Sequence, residues 1–280
     1  MNFLIAQIAN YTPFALGAYL SISIMRIPNL AIESAVAFGA IAGATTASAW
    51  PTLGITGIWS AAFLAGGCTG LVAALLHARG YISHLLAGLI TIGLFHGVMQ
   101  FLAPTGQVLL GQGLLTSHSR EIYIAIAAML LVGIMHKLLQ TQLGLACGIY
   151  GNNVNFLRHF KISTNWIVCA GMFISNGLAG LSGAFIAQAN GFADASMGSG
   201  IILLGLTILV LGRILNIGKN FQITIPIVGA ATYFSLQYIL LKIGFDLRYF
   251  TAVQAAIIAC ILLMNNYASN KQEPDTDLGV

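Results

Sequence analysis

The sequence predicts an all-α fold, a polytopic membrane helix bundle of about nine transmembrane segments. Three observations carry that reading. Between residues 27 and 119 the only charged side chains are Glu33 and Arg79. Over the whole chain charged residues make up 6%, against roughly 25% in a soluble domain, and the mean hydropathy is +0.89. The apolar runs continue for about 20 residues, the length at which a rise of about 1.5 Å per residue crosses a ~30 Å hydrocarbon core. Barrel strands would instead alternate apolar and polar over about ten residues. In hydrocarbon an unpaired backbone group has no water to bond, so these runs are helices.

The first segment, 3–24, has no basic leader and no small-x-small cleavage site before or within it, so it reads as a retained helix. The second, 30–50, is interrupted at its start by Pro28, Asn29, Glu33 and Ser34. It either spans or begins as a broken helix inside the membrane. Segments 55–77 and 82–103 follow, then 122–139, 166–188, 200–216, 222–241 and 249–267. Together residues 1–268 form a transmembrane domain with a cytoplasmic loop at 140–165, and 269–280 form a polar cytoplasmic tail, expected to be disordered.

Orientation follows from the cations. With the N-terminus outside, Arg26, Arg79, Lys137, Arg158, Lys161, Arg213, Lys219 and Lys271 lie on the cytoplasmic side, and Arg120, Lys242 and Arg248 outside. Eight against three favours N-out/C-in, because basic residues near helix ends stay on the cytoplasmic side.

Small residues mark the helix faces. Gly39 and Gly43, and Gly66 and Gly70, stand one turn apart, and Gly177, Gly180 and Gly183 recur every third residue. Lipid gives helices no hydrophobic reason to associate, so close backbone approach is what packs them. Cys68, Cys169 and Cys260 fall in apolar segments and Cys147 in the loop, a distribution of small buried residues and not of a disulfide or metal site.

Few residues could carry function. An acid at the bilayer centre costs roughly 2.5–3.5 kcal/mol on insertion scales, so Glu33 should face a wet cavity or a partner, unless it lies near the interface and reaches water. Asn29, one turn away, could share that cavity. Asn176, Gln188 and Asn190 are pathway candidates, although a helix–helix hydrogen bond is the commoner use of such residues in this setting. Asp194 either caps the helix after it or meets an external partner. His84 and His96 have no second ligand at metal spacing and read as packing residues. In the loop, Val154, Phe156, Leu157 and Phe160 can share one side of a short helix, which would lie on the membrane surface or dock on another protein. No nucleotide site is visible: Gly218-Lys219 is followed by Asn220, and Arg213 stands where the phosphate loop needs glycine.

The run from Gly144-Leu145 through Asn152 to Lys161-Ile162-Ser163, followed by Gly177-Leu-Ala-Gly-Leu-Ser-Gly-Ala-Phe-Ile-Ala-Gln188, resembles the permease subunits of ABC importers. The resemblance is to the branched-chain amino acid and ribose permease branch, and within it to the tryptophan-type importers. Leu16-Gly-Ala-Tyr-Leu20 with Arg26-Ile-Pro-Asn-Leu30, Leu76-His-Ala-Arg-Gly-Tyr-Ile-Ser-His-Leu-Leu-Ala-Gly88 and Gly191-Phe-Ala-Asp-Ala-Ser-Met-Gly-Ser-Gly200 extend it over nearly the whole chain. Gly148-Ile-Tyr-Gly-Asn152 and Pro28-Asn-Leu-Ala-Ile-Glu-Ser-Ala35 depart from the family's pattern.

The resemblance implies a multi-pass subunit of the bacterial inner membrane that moves a small solute, an amino acid with aromatic ones included, by alternating access. Its implied partners are an ATP-binding cassette ATPase, which would bind ATP and Mg, a periplasmic or lipid-anchored binding protein, a second permease copy and the lipid bilayer. No nucleic acid and no catalytic or metal site in this chain are expected. The loop would then hold the ATPase-coupling residues Gly151, Asn152, Val154, Phe156, Leu157, Arg158 and Lys161. The alternative is an ion-coupled carrier or facilitator using Glu33. An intramembrane enzyme finds no Ser–His–Asp or His–Glu–His spacing to support it.

Overall fold

The computed structural model describes residues 3–110, 117–215, 223–244, 251–256 and 258–259. Helix α1 (Phe3–Ala18) continues as a wider, π-helical stretch through Tyr19–Ile24 and ends at a left-handed Arg26. Helix α2 (Ile32–Ala49) is followed by a tight turn, Pro51–Leu53, that feeds α3 (Gly54–Gly80). Then come α4 (His84–Leu102), strand β1 (Gln107–Leu109), α5 (Ser117–Gln140), α6 (Gln142–Asn152) and α7 (Val154–His159). The chain closes with α8 (Thr164–Asn190), β2 (Phe192–Asp194), α9 (Ile201–Leu215) and α10 (Thr224–Lys242). Residues 251–256 are helical; the rest of the ninth expected segment, apart from 258–259, and the 269–280 tail lie outside the described residues.

The all-α reading holds, with five described helices long and apolar enough to cross a membrane: Pro51–Gly80, His84–Leu102, Glu121–Gln140, Thr164–Asn190 and Thr224–Lys242. Helices α1, α2 and α9 are not among them. For α2, 18 residues long, the reason is composition: Glu33, Ser34, Thr45, Thr46 and Ser48 lower its hydropathy. Asn29 bonds Asn176 in the middle of α8, so α2 starts beside the midpoint of its neighbour.

Helix α8 is the centre of the bundle, packed against α1, α2 and α3. The glycines foreseen in the sequence are where those backbones meet. A Cβ on Gly183 would strike the Val36 carbonyl of α2, and one on Gly70 the Met172 carbonyl of α8. Hydroxyls complete the contact with α1: Ser175 Oγ donates to the Gly17 carbonyl at 2.8 Å and Ser182 Oγ to the Asn10 carbonyl at 2.7 Å.

The two strands pair antiparallel, Gln107 with Asp194 and Leu109 with Phe192. The sequence reads both stretches as connectors between helices, because three residues carry no readable alternation. The ribbon ties the α4–α5 connection to the α8–α9 connection at one end of the bundle. At the other end α6 meets the α3–α4 turn, where Tyr150 bonds His84 at 3.4 Å and the His77 and His84 rings stack at 3.5 Å. Arg26, Arg79, Lys137, Lys161 and Arg213 belong to elements at this second end, and Lys242 to the ribbon end.

Candidate functional site

Glu33 lies in the first turn of α2 and reaches across to the start of α9. Its Oε1 accepts a hydrogen bond from the Gly200 backbone N–H at 3.0 Å, and the Ile202 N–H donates to the same carboxylate. These are two of the donors that the first turn of a helix cannot satisfy internally. The backbones also touch: a Cβ on Gly198 would overlap the Glu33 carbonyl oxygen, so only glycine lets the loop approach. Each helix N-terminus carries about half a positive charge. One carboxylate shared between two such ends is a near-neutral arrangement, which is how an acid is held at this depth. Helix α9 is 15 residues, about 22 Å. Its last described turn, with Arg213, is at the basic end. Two helix N-termini thus meet on one carboxylate.

Asn29 and Asn176 come together, but with each other. Asn29 Nδ2 donates to Asn176 Oδ1 at 2.6 Å, and Asn176 Nδ2 donates to Thr69 Oγ1 at 3.2 Å. All three are buried, Asn29 at 3% exposure. This clamp ties α2, α3 and α8 at mid-depth. The Asn29 Oδ1 atom accepts from no described residue. Gln188 is elsewhere: its Oε1 accepts from Trp59 Nε1 at 3.4 Å, joining α8 to α3 near the ribbon end. Of the four pathway candidates, then, three are helix–helix hydrogen bonders and Glu33 joins α2 to α9. Asn176→Ala should lower stability by about 0.6–1.7 kcal/mol of coupling in a double-mutant cycle with Asn29→Ala. Additive thermal-unfolding shifts would contradict the clamp.

Asp194 does not cap α9; Glu33 does. Asp194 Oδ1 instead accepts from the Ser196 N–H and hydroxyl, each at 2.6 Å, and Oδ2 accepts from Gln107 Nε2 at 2.8 Å. The acid therefore closes the turn after β2 and pins it to β1. The Ser196 hydroxyl, then its amide, then Gln107 hold the carboxyl below its usual range. A depressed acid contributes stability above its unfolded pKa of about 3.9 and loses it as pH falls through the lowered value. The group is exposed, so the contribution is small. Asp194→Asn should melt slightly below wild type at pH 7, with the gap closing below about pH 4.

In the basic-end connector the structure separates residues that the sequence placed on one side. Thr141 and Asn153 cap α6 and α7 through Gly144 N–H and Phe156 N–H. Leu157 is 1% exposed and packs with Met25, Cys147 and Ile167, so it anchors α7 and is not a docking residue. Gly151 likewise faces inward, where a Cβ would strike the Ile24 carbonyl. Phe156 and Phe160 point out, 48% and 60% exposed, with ring centroids 4.8 Å apart. Val154 is partly buried, Lys161 is exposed in a left-handed turn, and Asn152 lines a cavity. The Arg158 side chain lies outside the described residues. Cys147 is buried, which pushes its thiol up to about 11, the behaviour of a packing cysteine. No group of three metal-ligating side chains exists among the described residues.

Residues 1–262 match the family described as the branched-chain amino acid transport system permease component. The chain belongs to this family. Among its relatives, a tyrosine transport system permease protein of Clostridioides difficile (strain R20291) is 30% identical over 92% of this chain and 89% of its own. The uncharacterized protein RP368 of Rickettsia prowazekii (strain Madrid E) is 29% identical over 98% of this chain and 99% of its own. The galactofuranose transporter permease protein YtfT of Escherichia coli (strain K12) is 25% identical over 81% of this chain and 69% of its own. No solved structure matches. The chain is a multi-pass membrane permease component of an ABC-type transport system, a family that works with an ATPase partner. The relatives' names span an amino acid and a sugar, so the shared bundle does not itself fix the solute.

Proposed function

We propose that this permease is the transmembrane subunit of an ATP-driven importer in a bacterial inner membrane, moving an amino acid, aromatic ones first among them, by alternating access. The observation that carries the proposal is α7: a two-turn knob at the cation-rich end, anchored by Leu157 and presenting Phe156 and Phe160. Two exposed phenylalanines on a helix too short to stand alone suit a groove on a soluble motor. The α2–α9 contact at Glu33 is then the element that motion from the motor would open and close. ATP and Mg belong to the partner ATPase. An external binding protein would dock at the ribbon end, and a second permease copy would complete the pathway. The substrate class draws on the relative named for tyrosine.

The test is purification of the chain with its partners, followed by uptake in proteoliposomes. A P-loop ATPase should copurify, and uptake of a labelled aromatic amino acid should require ATP inside or outside according to orientation. A chain that transports alone without ATP would overturn the reading. The ion-coupled alternative would need Glu33 free to exchange a cation, whereas here its carboxylate is engaged by α9.

A further inference from the structure

The geometry points to a phosphate-binding pocket between α1, α6 and α9 at the basic end, fitted to the headgroup of an anionic phospholipid. A cavity of about 260 Å³ lies there, lined by Arg26, Arg213, Tyr19, Ser23 and Asn152, with an aliphatic wall from Ile225. Its two guanidinium groups come from separate, rigidly held backbones. Arg26 occupies a left-handed turn between Met25 and Ile27, each 1% exposed, so the core fixes both neighbours and turns the arginine outward. Arg213 follows Gly212, whose bare backbone is packed on the Ile225 carbonyl of α10. The arginines are therefore directed to the cavity by packing and not by attraction.

Among the described residues no carboxylate lines the cavity, and the described carboxylates are employed elsewhere. Glu33 is bonded at the opposite end of α9, Asp194 is in the ribbon, and Glu121 lies beside Asn10 at the ribbon end. Two like charges facing one chamber call for an anion from outside the described chain. Guanidinium offers a planar fork that grips phosphate with two hydrogen bonds, and Ser23 and Asn152 supply neutral donors. On the reading that the basic end is cytoplasmic, the pocket is at the level of the inner-leaflet phosphates, where basic pockets between helices hold anionic headgroups. A zwitterionic headgroup would satisfy one arginine with its phosphate and set its ammonium against the other. The pocket therefore selects net-negative lipid.

The experiment uses the intact transporter complex, purified in mild detergent and analysed by native mass spectrometry for retained lipid. Phosphatidylglycerol should be retained over phosphatidylethanolamine. Arg26→Gln and Arg213→Gln should each cut that retention about fivefold and together about 25-fold, while Arg26→Lys and Arg213→Lys keep most of it. A second arm adds inorganic phosphate to complex in phosphatidylcholine nanodiscs. Stabilisation by millimolar phosphate that the double Gln variant lacks, without selective lipid retention, would assign the pocket to a free phosphate source. Lipid retention unchanged in the double variant, with no phosphate effect, overturns the proposal. So does loss of the ATPase from the double variant with lipid retention unchanged, which would give the pocket to an acidic protein surface. Melting in lipid-free detergent serves as the control that both variants fold.

Discussion

Replacing both Phe156 and Phe160 by aspartate should abolish ATP-driven uptake while the folded chain accumulates in the membrane at its normal level. The two rings are exposed, adjacent and on the same side of α7, so nothing inside the chain depends on them. Burying a phenylalanine side chain is worth about 1.5–3 kcal/mol. Losing two, and placing two charges in an apolar groove, removes several kcal/mol from the docked state, a drop in affinity of a thousandfold or more. Pull-down of the ATPase with the chain reads the effect directly. Leu157→Ala is the contrast. Leu157 sits inside the core with Met25 and Ile167, so its truncation should cost about 2–5 kcal/mol of stability and appear as a lower Tm. If the double aspartate variant kept its ATPase and lost only membrane association of α7, the segment would be a surface helix.

That distinction shows where the sequence stops being readable. Four apolar residues within 154–160 fall on one side of a short helix, within about 160° at about 100° per residue, so spacing alone does not say which of them turns inward. Leu157 turned inward because Cys147 of α6 and Ile167 of α8 are there to receive it. By contrast, the membrane class, the interruption at Pro28 and Asn29 and the glycine faces were legible, because each follows from a property local to one segment. Pro28 and Asn29 cannot continue a lipid-facing helix, and Gly180 and Gly183 can only be a close contact. The cap reading of Asp194 failed for the opposite reason. Its neighbours invite a cap, yet the cap of α9 comes from Glu33, 167 residues away. The same holds for the meeting of Arg26 with Arg213, which no local pattern announces.

Glu33 itself gives the second large effect, and two substitutions separate its roles. Glu33→Ala removes the acceptor for the Gly200 and Ile202 amides, and leaving a donor unsatisfied costs about 1–3 kcal/mol each. The contact between α2 and α9 should then lose most of its closed population, and uptake should fall at least tenfold with a lower Tm. Glu33→Gln keeps an amide oxygen for the Gly200 N–H and loses only the charge that two helix ends favour, about 0.3–1 kcal/mol for each end. Uptake should fall several-fold, with ATP dependence intact. An ion-coupled carrier predicts no such order: glutamine, unable to titrate, would be as inactive as alanine, and residual transport would ignore the ion gradient. Gln retaining clearly more uptake than Ala, at unchanged coupling to ATP, therefore assigns Glu33 to the joint between the starts of α2 and α9. Equal inactivity of the two variants in chains of equal Tm would assign it to cation exchange, because a structural joint cannot lose function without losing the contact it makes.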